Sequence, residues 1–120
     1  MFVVTGSTGF VGSAVVRKLL DRGSEVRVLC RPGSDQTNLE GLDIEIFEGD
    51  LLDPASLWPL LKGCEGLFHI AADYKLWTRN PNLLFETNYC GTKSIILAAA
   101  AAAVPKIVYT SSVATLGIIN

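Results

Sequence analysis

The chain has 120 residues, of which 49% are hydrophobic and 18% charged, with a net charge of −2 at pH 7. That length gives one domain, residues 1–120, with enough apolar side chains to bury a core. The near-balanced charge contains no long basic run, so nucleic acid and anionic membrane surfaces are not expected partners. The longest apolar run, 95–104, is too short for membrane insertion, and no positive stretch precedes the first apolar run as in a signal peptide.

The first apolar run, Phe2-Val3-Val4, reads as a buried strand. A glycine-rich turn follows, and then a helix from about Gly9 to Asp21 with Val11, Ala14, Val15 and Leu19 on one face. Gly23 is placed to cap its C-terminus. Strand two is Glu25 to Cys30 and ends in the turn Arg31-Pro32-Gly33-Ser34. Asp43 to Phe47 alternates polar and apolar residues, as a half-exposed edge strand does. Asp53-Pro54 supplies an N-cap and a proline at the first helical position. The short helix behind it carries Leu57, Leu60 and Leu61. Strand four is Gly66 to Ile70, and a polar and aromatic loop occupies 73–80. One long helix is expected from about Pro81 to Ala103, then strand five from Lys106 to Thr110.

Strands alternating with helices predict an α/β fold: a Rossmann-type, doubly wound parallel sheet with helices on both faces. The expected strand order is 3-2-1-4-5, with the chain stopping after strand five. A ligand then belongs beyond the C-terminal ends of strands one and four, where the order reverses.

Thr5-Gly6-Ser7-Thr8-Gly9-Phe10-Val11-Gly12 lies at that point. Gly6 allows the tight turn out of the strand. Gly9 lets the backbone approach a pyrophosphate, and Gly12 lets helix and strand pack closely. The free N–H groups of the first helical turn, around Phe10, Val11 and Gly12, then face the anion, with Thr8 beside them. Glycines also serve ordinary turns; the strand-turn-helix setting favours a dinucleotide cofactor here.

Arg31 stands nineteen positions after Gly12, at the tip of strand two. An acid there would bind the ribose of NAD, whereas an arginine suits the 2′-phosphate of NADP. NADP is therefore the expected cofactor, with NAD the open alternative and a solvated surface arginine the plain one. Asp50, with Leu51 beside it, is placed to meet the adenine, or serves only its turn. Ala71 and Ala72 leave room for a ring at the end of strand four. His69 reads as a packed core residue, and the sequence has no metal-ligand spacing around it. Asn88 shares a helical face with Leu84, Gly91 and Ile95 and needs a hydrogen-bond partner when buried. It ties the helix to strand four, holds a water in the site, or is purely structural. Thr110, Ser111 and Ser112 bring hydroxyls to the end of strand five. Tyr89-x-x-x-Lys93 has the spacing of a proton donor and its lysine neighbour, but sits on the helix before strand five and reads as an accidental match. Cys30, Cys64 and Cys90 are odd in number and lack Cys-x-x-Cys spacing, which fits reduced thiols in a cytoplasmic protein.

Together, Thr5-Gly6-x-x-Gly9-x-x-Gly12, Gly49-Asp50-Leu51, His69-x-Ala71-Ala72, Asn88-x-x-Gly91-Thr92 and Tyr109-Thr110-Ser111-Ser112 resemble the extended short-chain dehydrogenase/reductase family, which includes the NAD(P)-dependent epimerase/dehydratases. Within it, the stretches 27–35, 71–77 and 111–117 are similar to hopanoid-associated sugar epimerases and dihydroflavonol 4-reductase-like reductases. The resemblance implies that Ser112 is the catalytic serine and that Asn88 supports the site. It also implies an active-site Tyr-x-x-x-Lys some tens of residues beyond Ser112, and a C-terminal substrate-binding part. The chain is thus expected to be the N-terminal fragment of a longer, homodimeric enzyme and to be inactive alone. The whole enzyme is expected to pass a hydride between nicotinamide and a carbinol or ketone carbon of a small-molecule substrate. The contrasting reading is a non-catalytic NADP-binding sensor of the same fold.

Overall fold

The computed structural model describes residues 1–75 and 77–119; Leu76, part of one resemblance stretch, and Asn120 lie outside the described residues. Five parallel strands form one sheet: β1 (Phe2–Thr5), β2 (Val26–Cys30), β3 (Glu45–Glu48), β4 (Gly66–His69) and β5 (Ile107–Tyr109). Their order is β3-β2-β1-β4-β5, as the strand and helix alternation predicts. β1 lies between β2 and β4, with Val4 level with Val28 on one side and Phe68 on the other.

Side-chain alternation divides the apolar residues between the two faces. Val4, Val28 and Cys30 meet α1 (Phe10–Asp21) through Val16 and Leu19. Val3, Leu29 and Leu67 face the other way, toward α2 (Pro54–Leu61) and α4 (Thr92–Ala101). Leu57, Leu60 and Leu61 of α2 are fully buried there. Each such leucine contributes about 1.5–3 kcal/mol of burial energy. Asp53 caps α2 through its carboxylate, which accepts from the Ala55 N–H at 3.1 Å. Arg27 then joins β2 to its neighbours, donating to Glu45 at 2.8 Å and to the Leu60 carbonyl near the end of α2 at 2.8 Å.

Besides shifts of one or two residues at strand ends, as at β3, two details differ from the sequence reading. The inward face of α1 is Gly12, Ser13, Val16 and Leu19, while Val11 and Ala14 are exposed. The cause is Gly12: a Cβ there would lie 1.9 Å from the Gly6 carbonyl oxygen. Such close packing turns position 12, not 11, toward the sheet. The long helix is also interrupted. It comprises α3 (Pro81–Phe85), a π-helical segment (Glu86–Gly91) and α4, ending at Ala101. A π turn inserts a residue into the helical ladder, which apolar periodicity does not register.

Candidate functional site

The site is built at the C-terminal ends of β1 and β4, which meet at the point where the strand order reverses. Gly6 leaves β1 with φ +71°, and a Cβ on it would lie 2.6 Å from the Ala71 nitrogen. The turn therefore passes directly against the chain leaving β4. Gly9 is different. A Cβ there would meet only the Gly6 carbonyl oxygen, at 3.4 Å, so the space outside it is open.

Gly9 is the N-cap of α1, and it offers no capping side chain. The first ladder bond of the helix runs from the Ser13 N–H to the Gly9 carbonyl at 3.0 Å. The N–H groups of Phe10, Val11 and Gly12 therefore have no partner within the helix. No acidic residue stands in this first turn. Uncapped donors, the positive end of the helix dipole and open space above a glycine suit a pyrophosphate. The residues present fit the pyrophosphate of a dinucleotide cofactor.

The other predicted residues surround this turn in different ways. Arg31 is exposed at the tip of β2, and its carbonyl accepts from the Ser34 N–H and hydroxyl. Asp50 is half-buried, and its Oδ1 accepts from the Leu52 N–H at 2.9 Å. The Leu51 side chain is core, 8% exposed, and lies against Gly91. Ala71 packs partly into the core, while Ala72 is exposed. Phe10 is exposed beside the opening. Thr110 is joined to β4 through its N–H, which donates to the His69 carbonyl at 3.0 Å. Ser111 and Ser112 follow, both exposed. The Ser112 Oγ accepts from the Ala114 N–H at 3.2 Å, which leaves its hydroxyl hydrogen free of that bond.

Asn88 lies in the π segment and closes both amide ends on one residue. Its Oδ1 accepts from the Asp73 N–H and its Nδ2 donates to the Asp73 carbonyl, each at 2.7 Å. The tie goes to the loop after β4, close to the strand connection that the buried amide predicts.

His69 is a core residue with a defined arrangement. Its Nδ1 is 2.7 Å from the Thr5 hydroxyl and its Nε2 is 2.8 Å from the Thr92 hydroxyl. Thr5 Oγ1 already accepts from the Ile70 and Ala71 N–H groups, at 3.2 and 3.3 Å. Its own hydrogen is therefore assigned to His69 Nδ1, and the Nε2–H donates to Thr92. Burial pushes this imidazole down to a pKa of about 4. A neutral histidine thus links β1, β4 and α4 beneath the turn, with the Tyr109 ring stacked on it at 5.5 Å. Thr5 and Thr92 carry no signal of this role in the sequence, being 64 and 23 positions from their partner. Among the described residues, no group of three His, Cys, Asp or Glu side chains is placed to hold a metal ion. No helix among them is long and apolar enough to cross a membrane.

Comparison with known proteins agrees with this geometry. The NAD dependent epimerase/dehydratase family matches residues 2–118. The chain is 46% identical over 117 residues to a putative dihydroflavonol 4-reductase of Synechocystis sp., covering 98% of this chain and 34% of that protein. It superposes on the crystal structure of gox2253 with a TM-score of 0.91 and 51% identity, covering 99% of this chain and 36% of the other. A short-chain dehydrogenase/reductase superfamily protein from Agrobacterium tumefaciens, solved with bound NAD, gives a TM-score of 0.79 and 32% identity over 93% of this chain and 32% of that one. The chain spans about a third of the length of these relatives.

Proposed function

This chain belongs to the NAD dependent epimerase/dehydratase family, and from that premise we propose that it forms the cofactor-binding part of an NADP-preferring reductase or epimerase. The observation that carries the reading is the uncapped N-terminus of α1 with open space over Gly9. The N–H groups of Phe10, Val11 and Gly12 hold the pyrophosphate in this proposal, with Gly6 and Thr8 shaping the turn. Arg31 pairs with a 2′-phosphate, Asp50 and the Leu51 backbone meet the adenine, and Ala71 and Ala72 floor the crevice. Asn88, Thr110 and Ser111 support its inner end.

When bound, the nicotinamide gives or takes a hydride at a carbinol or ketone carbon. The contribution of Ser112 is to hold the substrate oxygen through its hydroxyl hydrogen. A serine hydroxyl is too weak an acid to protonate an alkoxide readily near neutrality, so its role is orientation and charge stabilisation. A group of lower pKa must supply the proton. The similarity to a protein named as a dihydroflavonol 4-reductase supports a ketone or alcohol substrate. Burial pushes the Cys30 and Cys64 thiols above their ordinary pKa, which suits unreactive reduced cysteines in a cytoplasmic protein.

Gly9→Val tests the reading. The added side chain fills the space that the pyrophosphate needs. Titration of the full chain with NADP+ should show at least a tenfold loss of affinity with the fold retained. Equal affinity in the variant and the wild type would exclude the loop as the binding site.

A further inference from the structure

We propose that Asn38 is a positioning residue for the dinucleotide, fixing the Thr8–Gly9 peptide so that the Thr8 carbonyl is turned out of the anion cradle. The inference rests on the cofactor reading above. Asn38 Nδ2 donates to the Thr8 carbonyl at 2.8 Å. At the other end of the same peptide, the Gly9 N–H donates to the Gly6 carbonyl at 3.2 Å. Both polar ends of one peptide plane are thus occupied, one by the turn itself and one by a residue thirty positions away.

Asn38 is itself held. It lies in the short 3₁₀ turn Thr37–Leu39, where the Leu39 side chain is 4% exposed and anchors the segment in the core. Asp35 Oδ1 accepts from both the N–H and the hydroxyl of Thr37, at 2.9 and 2.6 Å. From the α1 side, Arg17 donates to the Asn38 carbonyl at 2.8 Å and to the Ser13 carbonyl at 3.3 Å. The segment between β2 and β3 is therefore a strap fastened to the glycine turn and to the helix that follows it.

The orientation matters because the cradle is made of backbone dipoles. Three N–H groups of the first turn lack a helical partner, and one carbonyl rotated among them would oppose a phosphate bound there. Gly9 has no Cβ to hinder such a rotation. The outer side of the turn is solvent-exposed at Gly9 and Phe10, so packing does little to prevent it. The Asn38 amide supplies the missing restraint. Because it acts on the pyrophosphate portion, which NAD+ and NADP+ share, its loss weakens both cofactors alike.

The test is calorimetric titration of the full chain with NAD+ and NADP+. Asn38→Ala should lower affinity for both by about tenfold, the cost of re-ordering the freed Thr8–Gly9 peptide when the cofactor binds. Asn38→Asp keeps the shape but presents no donor to the Thr8 carbonyl, and should lose at least as much. In steady-state kinetics of the whole enzyme the cofactor KM rises with kcat unchanged. Asn38 is exposed, so the thermal midpoint stays that of the wild type. Arg31→Ala in the same assay weakens NADP+ alone and so marks the ribose end separately. Unchanged binding in both Asn38 variants overturns the proposal. So does a loss confined to NADP+, or a loss matched by a fall in the thermal midpoint. If the wild type binds neither cofactor, the cofactor reading fails and this proposal falls with it.

Discussion

At the β1 end of the crevice, the turn is packed at its two ends, Gly6 and Gly12, and open at Gly9 between them. Gly6 abuts Ala71, Gly12 abuts Gly6, and the Thr5–His69–Thr92 links run beneath. At the β5 end the residues are open. Ile107, Val108 and Tyr109 are 39%, 50% and 51% exposed, and Ser112 is bonded to the turn just after it, its Oγ accepting from Ala114 and its carbonyl from the N–H and hydroxyl of Thr115. The first end is shaped by packing at Gly6 and Gly12 and by the Asn38 bond between them. At the second, the chain presents hydroxyls and apolar side chains but does not itself enclose them. Substitutions at the first end should therefore register in stability, and substitutions at the second in chemistry.

The largest expected effect lies at the packed end. Gly12→Ala places a Cβ 1.9 Å from the Gly6 carbonyl oxygen, a backbone atom that cannot swing aside. Overpacking at such a contact should cost about 3 kcal/mol, read as a lower urea midpoint. Gly9→Ala, only 3.4 Å from the same oxygen, should change the midpoint little. If the two alanines cost the same, the packed-against-open distinction within the turn is wrong.

Ser112→Ala is the matching change at the open end. If Ser112 holds the reacting oxygen as proposed, losing its hydroxyl should lower kcat of the whole enzyme about a hundredfold. Stability and cofactor affinity should stay within about 0.5 kcal/mol, as for other surface changes. Unchanged turnover would remove Ser112 from the chemistry.

pH sharpens the contrast through His69. Folded, the imidazole stays neutral down to about pH 4; its ordinary value is 6.5. Between these values the unfolded chain binds the extra proton, so stability falls as pH drops through this window and is level above it. The loss by about pH 4.5 should be roughly 2–3 kcal/mol. Urea midpoints across this range for the wild type and His69→Gln check it. The variant should start lower at neutral pH and show a flatter decline. An equally steep decline in the variant would assign the pH dependence to other groups. Arg31 gives a smaller effect. It is exposed, so Arg31→Ala should leave stability unchanged and weaken NADP+ about tenfold relative to NAD+. Equal losses for the two cofactors would remove the 2′-phosphate role.

The same contrast explains what the sequence makes legible. The alternation of elements, the glycine spacing and the Asp53-Pro54 cap are local signals, and each forms where it is expected. The inward face of α1 is displaced because the Gly6–Gly12 contact, a matter of ångströms between residues in different elements, sets its rotation. The π segment escapes because Leu84, Asn88, Gly91 and Ile95 keep an α-like spacing through it. The segment is defined by its backbone, and from it the pair of Asn88–Asp73 bonds holds the loop after β4 to the distorted turn. Asn38, Thr5 and Thr92 act through partners far along the chain, and no spacing rule connects them. Long-range polar ties are the part of this site that periodicity cannot supply.

Tyr89→Phe should have the smallest effect of all, and the ring's exposed stack on Phe85 gives the reason. Tyr89 and Lys93 are four apart, which on an α-helix would place them on one face. Tyr89 lies inside the π segment and Lys93 in α4 beyond it. The Tyr89 ring leans toward the N-terminal side of the segment, toward Phe85 rather than Lys93. The two rings are stacked, with centroids 4.9 Å apart. It is 55% exposed, so its hydroxyl can be replaced at little solvation cost. Phenylalanine keeps the stack and loses only that hydroxyl. Stability, cofactor affinity and turnover of the whole enzyme should each stay within about 0.5 kcal/mol of wild type. Loss of turnover in Tyr89→Phe, with Ser112→Ala still active, would reverse the roles assigned to the two ends of the crevice.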